Sequence, residues 1–91
     1  INLFIIYKTQ YTMEEMIGVI KLFAGQFAPQ DFMECNGQLI PIPGHEALYS
    51  ILGNEYGGDI RSNNFALPKL TSPDEKMRYI ICVNGIYPPR P

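Results

Sequence analysis

Few side chains in this sequence could carry out covalent or metal chemistry. The 91 residues include one histidine, His45, two cysteines, and nine Asp and Glu residues. Catalysis needs a base, a nucleophile or a metal held by several converging groups, and no cluster of ligands accompanies His45. We interpret His45 as a solvated or N-terminal helix residue and the carboxylates as solvated surface charges. The sequence therefore predicts that this protein is not an enzyme and uses no metal or cofactor.

The two cysteines, Cys35 and Cys82, are too few for a disulfide framework. They also lack the clustered partners of a zinc site. Two interpretations remain open at this stage. Either both are reduced, buried thiols that pack as small hydrophobic side chains, or the pair forms a single disulfide.

Two short motifs are candidates for an interaction site. Tyr56, Gly57, Gly58 and Asp59 form a glycine loop, which lacks the Gly-Lys-Ser/Thr ending of a phosphate loop and the repeated oxygen ligands of a calcium loop. Paired glycines permit backbone angles closed to other residues, so we interpret the loop as a device of backbone shape.

The second motif is the segment Asn36, Gly37 and Gln38. Its amide groups could bind a sugar or a protein, but an Asn-Gly pair between two short strands is also typical of a type I′ hairpin turn. We favour the structural role. The hairpin interpretation predicts that Cys35 faces Gln38 and that Met33 faces Ile40.

Charge and hydropathy exclude several classes of function. The formal net charge of -2 and the pI near 5.2 are unlike those of a protein that binds nucleic acid through its phosphates. The seven Lys and Arg residues are scattered and form no basic amphipathic stretch for a membrane surface. The longest apolar run, Leu3–Tyr7, is far shorter than the ~20 residues of a membrane-spanning helix. We expect neither nucleic-acid binding nor membrane insertion.

The elements that position these motifs follow from the hydrophobic pattern. Residues 17–25 are apolar on both alternating faces, which predicts a central strand covered on both sides. Residues 46–52 carry the apolar stripe of a two-turn helix, which Gly53 would end. Further strands are expected at 65–70 and 78–83. The predicted fold is α+β, a small antiparallel or mixed sheet with one short helix packed on it. Its predicted core is Val19, Leu22, Phe23, Phe32, Cys35, Leu39, Leu48, Ile51, Leu52, Phe65, Leu67, Ile80 and Cys82.

The first twelve residues are best treated apart from the rest. Met13 looks like a natural start, so residues 1–12 are expected to be an extension or an assembly arm, and residues 13–91 the domain. The bias of the arm towards β-branched and aromatic residues suits a strand. An apolar strand without a sheet of its own would seek an edge on a neighbour.

Taken together, the motifs resemble the phage tail collar domain family, in the type found in short tail fibres and in microcystin-dependent proteins. The resemblance spans about residues 16–70, and residues 78–88 are similar to the C-terminal end of the microcystin-dependent type. It is carried, in the family's order, by the segments Ile17–Gly25, Cys35–Ile42, Ala47–Gly53, Tyr56–Asp59 and Phe65–Pro68. It implies an α+β collar domain in which Asn36, Gly37, Gln38 and the glycine loop are motif residues.

The resemblance also implies a function. It predicts a structural subunit of a phage tail fibre or a related bacterial surface appendage, which acts by self-assembly as a trimer or fibre. The expected location is a virion tail or an extracellular appendage. The alternative is a module at a fibre tip that binds a receptor, either a glycan or a protein of the host surface. An exposed cluster of Tyr49, Tyr56, Asn36 and Asn64 would favour this alternative.

Overall fold

The computed structural model describes residues 15–89, so the predicted arm at residues 1–12 lies outside the described part. Two antiparallel sheets and one short helix make up residues 15–89, which confirms the predicted α+β class. The elements in chain order are β1 (Ile20–Phe23), β2 (Phe32–Glu34), β3 (Leu39–Pro41), α1 (Glu46–Leu52), a 3-10 helix (Ile60–Ser62), β4 (Asn64–Ala66) and β5 (Arg78–Cys82).

The first sheet has the strand order β1-β5-β2, with β5 in the middle. Ile81 of β5 pairs with Ile20 on one side and with Met33 on the other, and it is fully buried. The prediction of a central strand at residues 17–25 is therefore wrong, because among residues 15–89 β1 pairs with β5 alone and forms an edge of the sheet. Both segments carry apolar residues on both alternating faces. That pattern indicates burial, but it does not say which of two apolar strands has neighbours on both sides.

The second sheet contains only β3 and β4, and its pairing shows that the predicted hairpin does not form. Met33 pairs with Ile81 of the first sheet, whereas Ile40 pairs with Phe65 of the second. A type I′ turn needs positive φ at both central residues, and only Gly37 of the Asn-Gly pair has it, at 81°. The Asn-Gly pair therefore lies where the chain crosses from one sheet to the other.

Helix α1 has the predicted bounds and packs on the core through Leu48, which is fully buried. The ring of Tyr49 meets Phe65 of β4 edge-on, with ring centroids 5.3 Å apart. Gly53 ends the helix at a φ of 59°, and its N–H donates to the carbonyl of Tyr49 at 2.7 Å. A helix of two turns is unstable alone in water, so these contacts with the sheet hold it in place.

The core combines predicted residues with others that the pattern missed. Of the predicted set, Leu22, Leu39 and Ile51 are wrong, because they are 40%, 58% and 37% exposed. Val19, Phe23, Phe32 and Leu52 are half-buried. The chain crosses between sheets just before β3, so that Ile40 rather than Leu39 points inward. The central buried cluster is Ile17, Cys35, Ile40, Leu48, Phe65, Leu67, Ile81 and Val83.

Candidate functional site

The residues Asn36–Gln38, here called the crossing segment, join β2 to β3 and lie beside the chain that follows β4. The N–H of Gly37 donates to the carbonyl of Pro68 at 3.3 Å, and Asn36 forms an antiparallel bridge with Lys69. A Cβ atom added to Gly37 would lie 3.2 Å from the Cβ of Lys69. Glycine is therefore required here both by the positive φ and by the close approach of the neighbouring chain.

Gln38 fastens the crossing segment to β2. Its Nε2 donates to the carbonyl of Glu34 at 2.9 Å, and its Oε1 accepts from the N–H of Asn36 at 3.3 Å. Both ends of this amide are thus occupied inside the protein. The arrangement supports the structural interpretation of the segment, since its amide side chain is used to hold the local backbone.

The residues Tyr56–Asp59, here called the glycine loop, lie against the outer edge of β4. The N–H of Ala66 donates to the carbonyl of Gly57 at 3.1 Å. A Cβ atom on Gly58 would lie 2.5 Å from the Cα of Phe65, closer than real Cβ atoms come to backbone. The absence of side chains at this point allows the loop to reach the strand, which is a requirement of shape.

A network of polar side chains fixes the glycine loop. Asn54 donates through Nδ2 to the carbonyls of Gly57 at 3.3 Å and Asn64 at 3.1 Å, and its Oδ1 accepts from the hydroxyl of Tyr49 at 2.9 Å. The N–H of Asp59 donates to Oδ1 of Asn64 at 3.0 Å. The sequence pattern missed Asn54 as a functional residue. Its position one residue after the glycine that ends α1 was the available signal, since Asn often bonds nearby backbone in turns.

Asp59 and Tyr56 have different environments within the loop. The Oδ1 atom of Asp59 accepts from the N–H of Arg61 at 3.0 Å and so caps the 3-10 helix. Tyr56, in contrast, is 51% exposed, and Ile60, the first residue after the loop, is 61% exposed. The loop therefore has a backbone that is held by hydrogen bonds and an exposed side chain at Tyr56.

The two motifs are brought together by the chain from β4 to Leu67. The glycine loop bonds Ala66 from one side, and Gln38 accepts from the N–H of Leu67 at 3.1 Å from the other. The glycine loop and the crossing segment therefore bond to the same stretch of chain, the end of β4 and Leu67, from its two sides. The exposed cluster of amides and tyrosines that would have favoured receptor binding does not form, because Tyr49 and Asn64 are half-buried and bonded to the network around Asn54.

Cys35 and Cys82 are both free and buried. Cys82 of β5 pairs with Phe32 of β2, so these two side chains lie on the same face of the first sheet. Cys35 is three residues after Phe32, and because side chains alternate along a strand, the side chain of Cys35 points to the opposite face from that of Cys82. This geometry is incompatible with a disulfide. Burial raises the pKa of Cys35 to about 11, and burial also raises the pKa of Cys82. Neither thiol is a reactive thiolate near neutral pH.

The remaining His, Asp and Glu residues between positions 15 and 89 are not grouped into a cluster. His45 is the N-cap residue of α1, its side chain is half-buried, and within the described residues its buried Nδ1 atom has no hydrogen-bond partner. Two carboxylates that were predicted to be solvated are paired: Glu15 contacts Lys21, and Glu34 lies 3.3 Å from Nη1 of Arg78. The hydrogen bond from Lys21 lowers the pKa of Glu15.

Residues 15–89 contain neither a metal-binding group nor a membrane-spanning helix. In this part of the chain, no three His, Cys, Asp or Glu side chains are grouped so that they could hold a metal ion. No helix between residues 15 and 89 has the length and hydropathy needed to cross a bilayer.

Comparison with known families gives one match. The family model of the phage tail collar domain matches residues 18–73, which is more than half of the chain. The matched region includes the crossing segment, α1, the glycine loop and β4, which are the elements described above. A search of curated proteins found no significant match.

Proposed function

This chain belongs to the phage tail collar domain family, and from that premise we propose that it is a structural subunit of a phage tail fibre or a related bacterial surface appendage, acting through self-assembly. The family is a structural one and points to a tail-fibre location. The proposal adds that copies of this chain contact one another, as a trimer or as a longer fibre, and that this contact is how the protein works.

The observation that carries the proposal is the use of the motif residues inside the protein. Gln38 and Asp59 each bond to backbone of their own chain. Gly37 is favoured by its positive φ, and Gly58 is required by the close approach of the β4 backbone. A binding site for a small ligand would instead present such polar groups towards a cavity. Here they stiffen a small module, which is what a subunit under mechanical load needs.

Size-exclusion chromatography with light scattering tests the proposal on the full chain. We expect a single species whose mass is at least twice the 10.3 kDa of one chain and a whole multiple of it. Dilution should dissociate it, because association depends on protein concentration. A monodisperse monomer at high protein concentration would contradict the proposal.

One observation favours the second candidate, a receptor-binding module at a fibre tip. The Tyr56 side chain of the glycine loop is exposed, and exposed aromatic rings are common contacts for ligands at protein surfaces. A glycan array with the wild type, Tyr56→Ala and Phe27→Ala tests it. Phe27 is 75% exposed outside the loop and serves as the matched control. Binding lost only in Tyr56→Ala would support this candidate, whereas equal binding by all three would contradict it.

A further inference from the structure

Each sheet has two outer edges, and three of the four are closed by the chain itself. At β2, the N–H of Phe32 donates to the carbonyl of Pro29 at 3.1 Å, and the carbonyl of Glu34 accepts from Nε2 of Gln38 at 2.9 Å. These are the two β2 residues whose backbone points away from β5, because Cys35 and Asp31 are the positions that bond β5 on either side. A further strand cannot pair here without displacing these bonds.

The edges of the second sheet are closed in two other ways. Two hydrogen bonds cover the outer edge of β4. The carbonyl of Gly57 in the glycine loop accepts from the N–H of Ala66, and Nδ2 of Asn54 donates to the carbonyl of Asn64. On β3, the outward positions are Leu39 and Pro41, since Gln38 and Ile42 bond the neighbouring chain. Pro41 has no N–H to offer, and a proline is a common device that blocks an edge strand.

The outer edge of β1 has no such device within residues 15–89. The N–H of Cys82 donates to the carbonyl of Val19 at 3.0 Å, which sets the alternation along β1 and turns the backbone groups of Ile20 and Leu22 away from β5. In the described part of the chain no strand pairs with these groups. The side chains of Ile20 and Leu22 are 38% and 40% exposed on the core face. Lys21, which could discourage pairing, points to the opposite face and is held by Glu15.

We propose that the outer edge of β1 accepts the apolar segment Leu3–Tyr7 of a second copy as an added strand. The inference rests on the proposed function, because it names the contact through which copies assemble. The segment is rich in the β-branched and aromatic residues that suit strands, and it is apolar on both alternating faces. Either face can therefore cover Ile20 and Leu22 while its backbone bonds theirs.

The lengths of the segment and its connection fit this role. Five extended residues span about 17 Å, which covers the four residues of β1 at about 13 Å. Residues 8–14 connect the segment to the described chain, and seven residues reach up to about 25 Å. That reach is enough to pass from one small domain to the edge of its neighbour.

A complementation experiment with full-length variants tests the proposal. Leu22→Pro removes an outward N–H of β1 and leaves the bonds to β5 in place, so it blocks the acceptor edge. The double variant Phe4→Pro/Ile5→Pro blocks the donor segment, because adjacent residues of a strand point their N–H groups to opposite sides. By light scattering, we expect each variant alone to lose the self-association of the wild type. A mixture of the two should form a complex, since each supplies what the other lacks.

The control is Leu39→Pro, which makes the same change at an outward position of β3, where Pro41 already blocks the edge. It should assemble like the wild type. Circular dichroism checks that the variants fold, and Leu22→Lys replaces Leu22→Pro if the latter does not. A wild-type oligomer that persists in both blocked variants would overturn this inference and leave the proposed function standing. A monomeric wild type would overturn both, and separate monomers in the mixture would show that the segment pairs within its own chain.

Discussion

Gly58 shows how one residue without a side chain permits the contact between the glycine loop and β4. Its φ is 85°, and a Cβ atom there would meet the Cα of Phe65 at 2.5 Å and the carbonyl oxygen of Asn64 at 2.9 Å. Gly44 has a similar φ of 89°, yet no atom lies within 4 Å of its added Cβ. A comparison of substitutions at Gly58 and Gly44 therefore separates the free-energy cost of a positive φ from the free-energy cost of a steric clash with backbone.

We therefore predict that Gly58→Ala destabilises the protein more than Gly44→Ala does. The positive φ alone should cost about 1–2 kcal/mol at Gly44. At Gly58 the collision with backbone cannot be relieved by turning a side chain, so the total should reach about 3 kcal/mol or more. Urea unfolding of the two variants and the wild type measures the difference. Equal losses would mean that the loop can move away from β4 without cost.

Burial raises the pKa of Cys35 from its usual 9.0 to about 11, and this shift predicts how stability depends on pH. The folded state keeps the proton at a pH where the unfolded state has released it. Stability is then unaffected below about pH 9 and falls as the pH rises from about 9 towards 11. Unfolding midpoints at the two ends of this range should show a decrease in the wild type that is smaller in Cys35→Ala. An identical decrease in both proteins would assign it to other groups.

The elements differ in how far they could be predicted, and the reason is the range over which each is specified. Helix α1 was predicted with its bounds because its apolar stripe and Gly53 act within a few residues. The pairing of β2 was mispredicted because an Asn-Gly pair indicates a turn, while the partner strand, β5, lies more than forty residues away. The glycine loop was recognised as a matter of shape, but its edge contact with β4 depends on tertiary structure that no local pattern contains.

Asn54 connects three elements, and its replacement tests the glycine loop as a unit. Asn54→Asp keeps the acceptor for Tyr49 but removes the two N–H bonds to the carbonyls of Gly57 and Asn64. A carboxylate would then face two carbonyl oxygens in a half-buried position, and we expect a loss of about 2–3 kcal/mol. Asn84→Asp makes the same charge change at an exposed residue and should cost less than about 0.5 kcal/mol. Chemical unfolding compares the two. Similar stabilities would contradict the role given to Asn54.

In the molecule as a whole, two small sheets share one core, and the chain joins them twice, through the crossing segment and again between β4 and β5. A chain of 91 residues buries a modest fraction of its surface, so its stability margin is small. Closing three sheet edges within the chain restricts where another strand can add. In the proposed assembly the contact has a direction, because the outer edge of β1 and the segment Leu3–Tyr7 are different surfaces, and such head-to-tail contacts generate rings or fibres.

The kinds of force between copies determine how the Kd of self-association depends on salt. Contact between Leu3–Tyr7 and the edge of β1 would rely on apolar side chains and backbone hydrogen bonds, with Lys21 already compensated by Glu15. Salt screens charges at the surface but weakens neither of these interactions. We expect the Kd of self-association, measured by sedimentation at about 0.05 M and about 0.5 M sodium chloride, to change by less than about threefold. Assembly that dissociates as salt is raised would instead indicate an interface of ion pairs, and the added strand would not be its main contact.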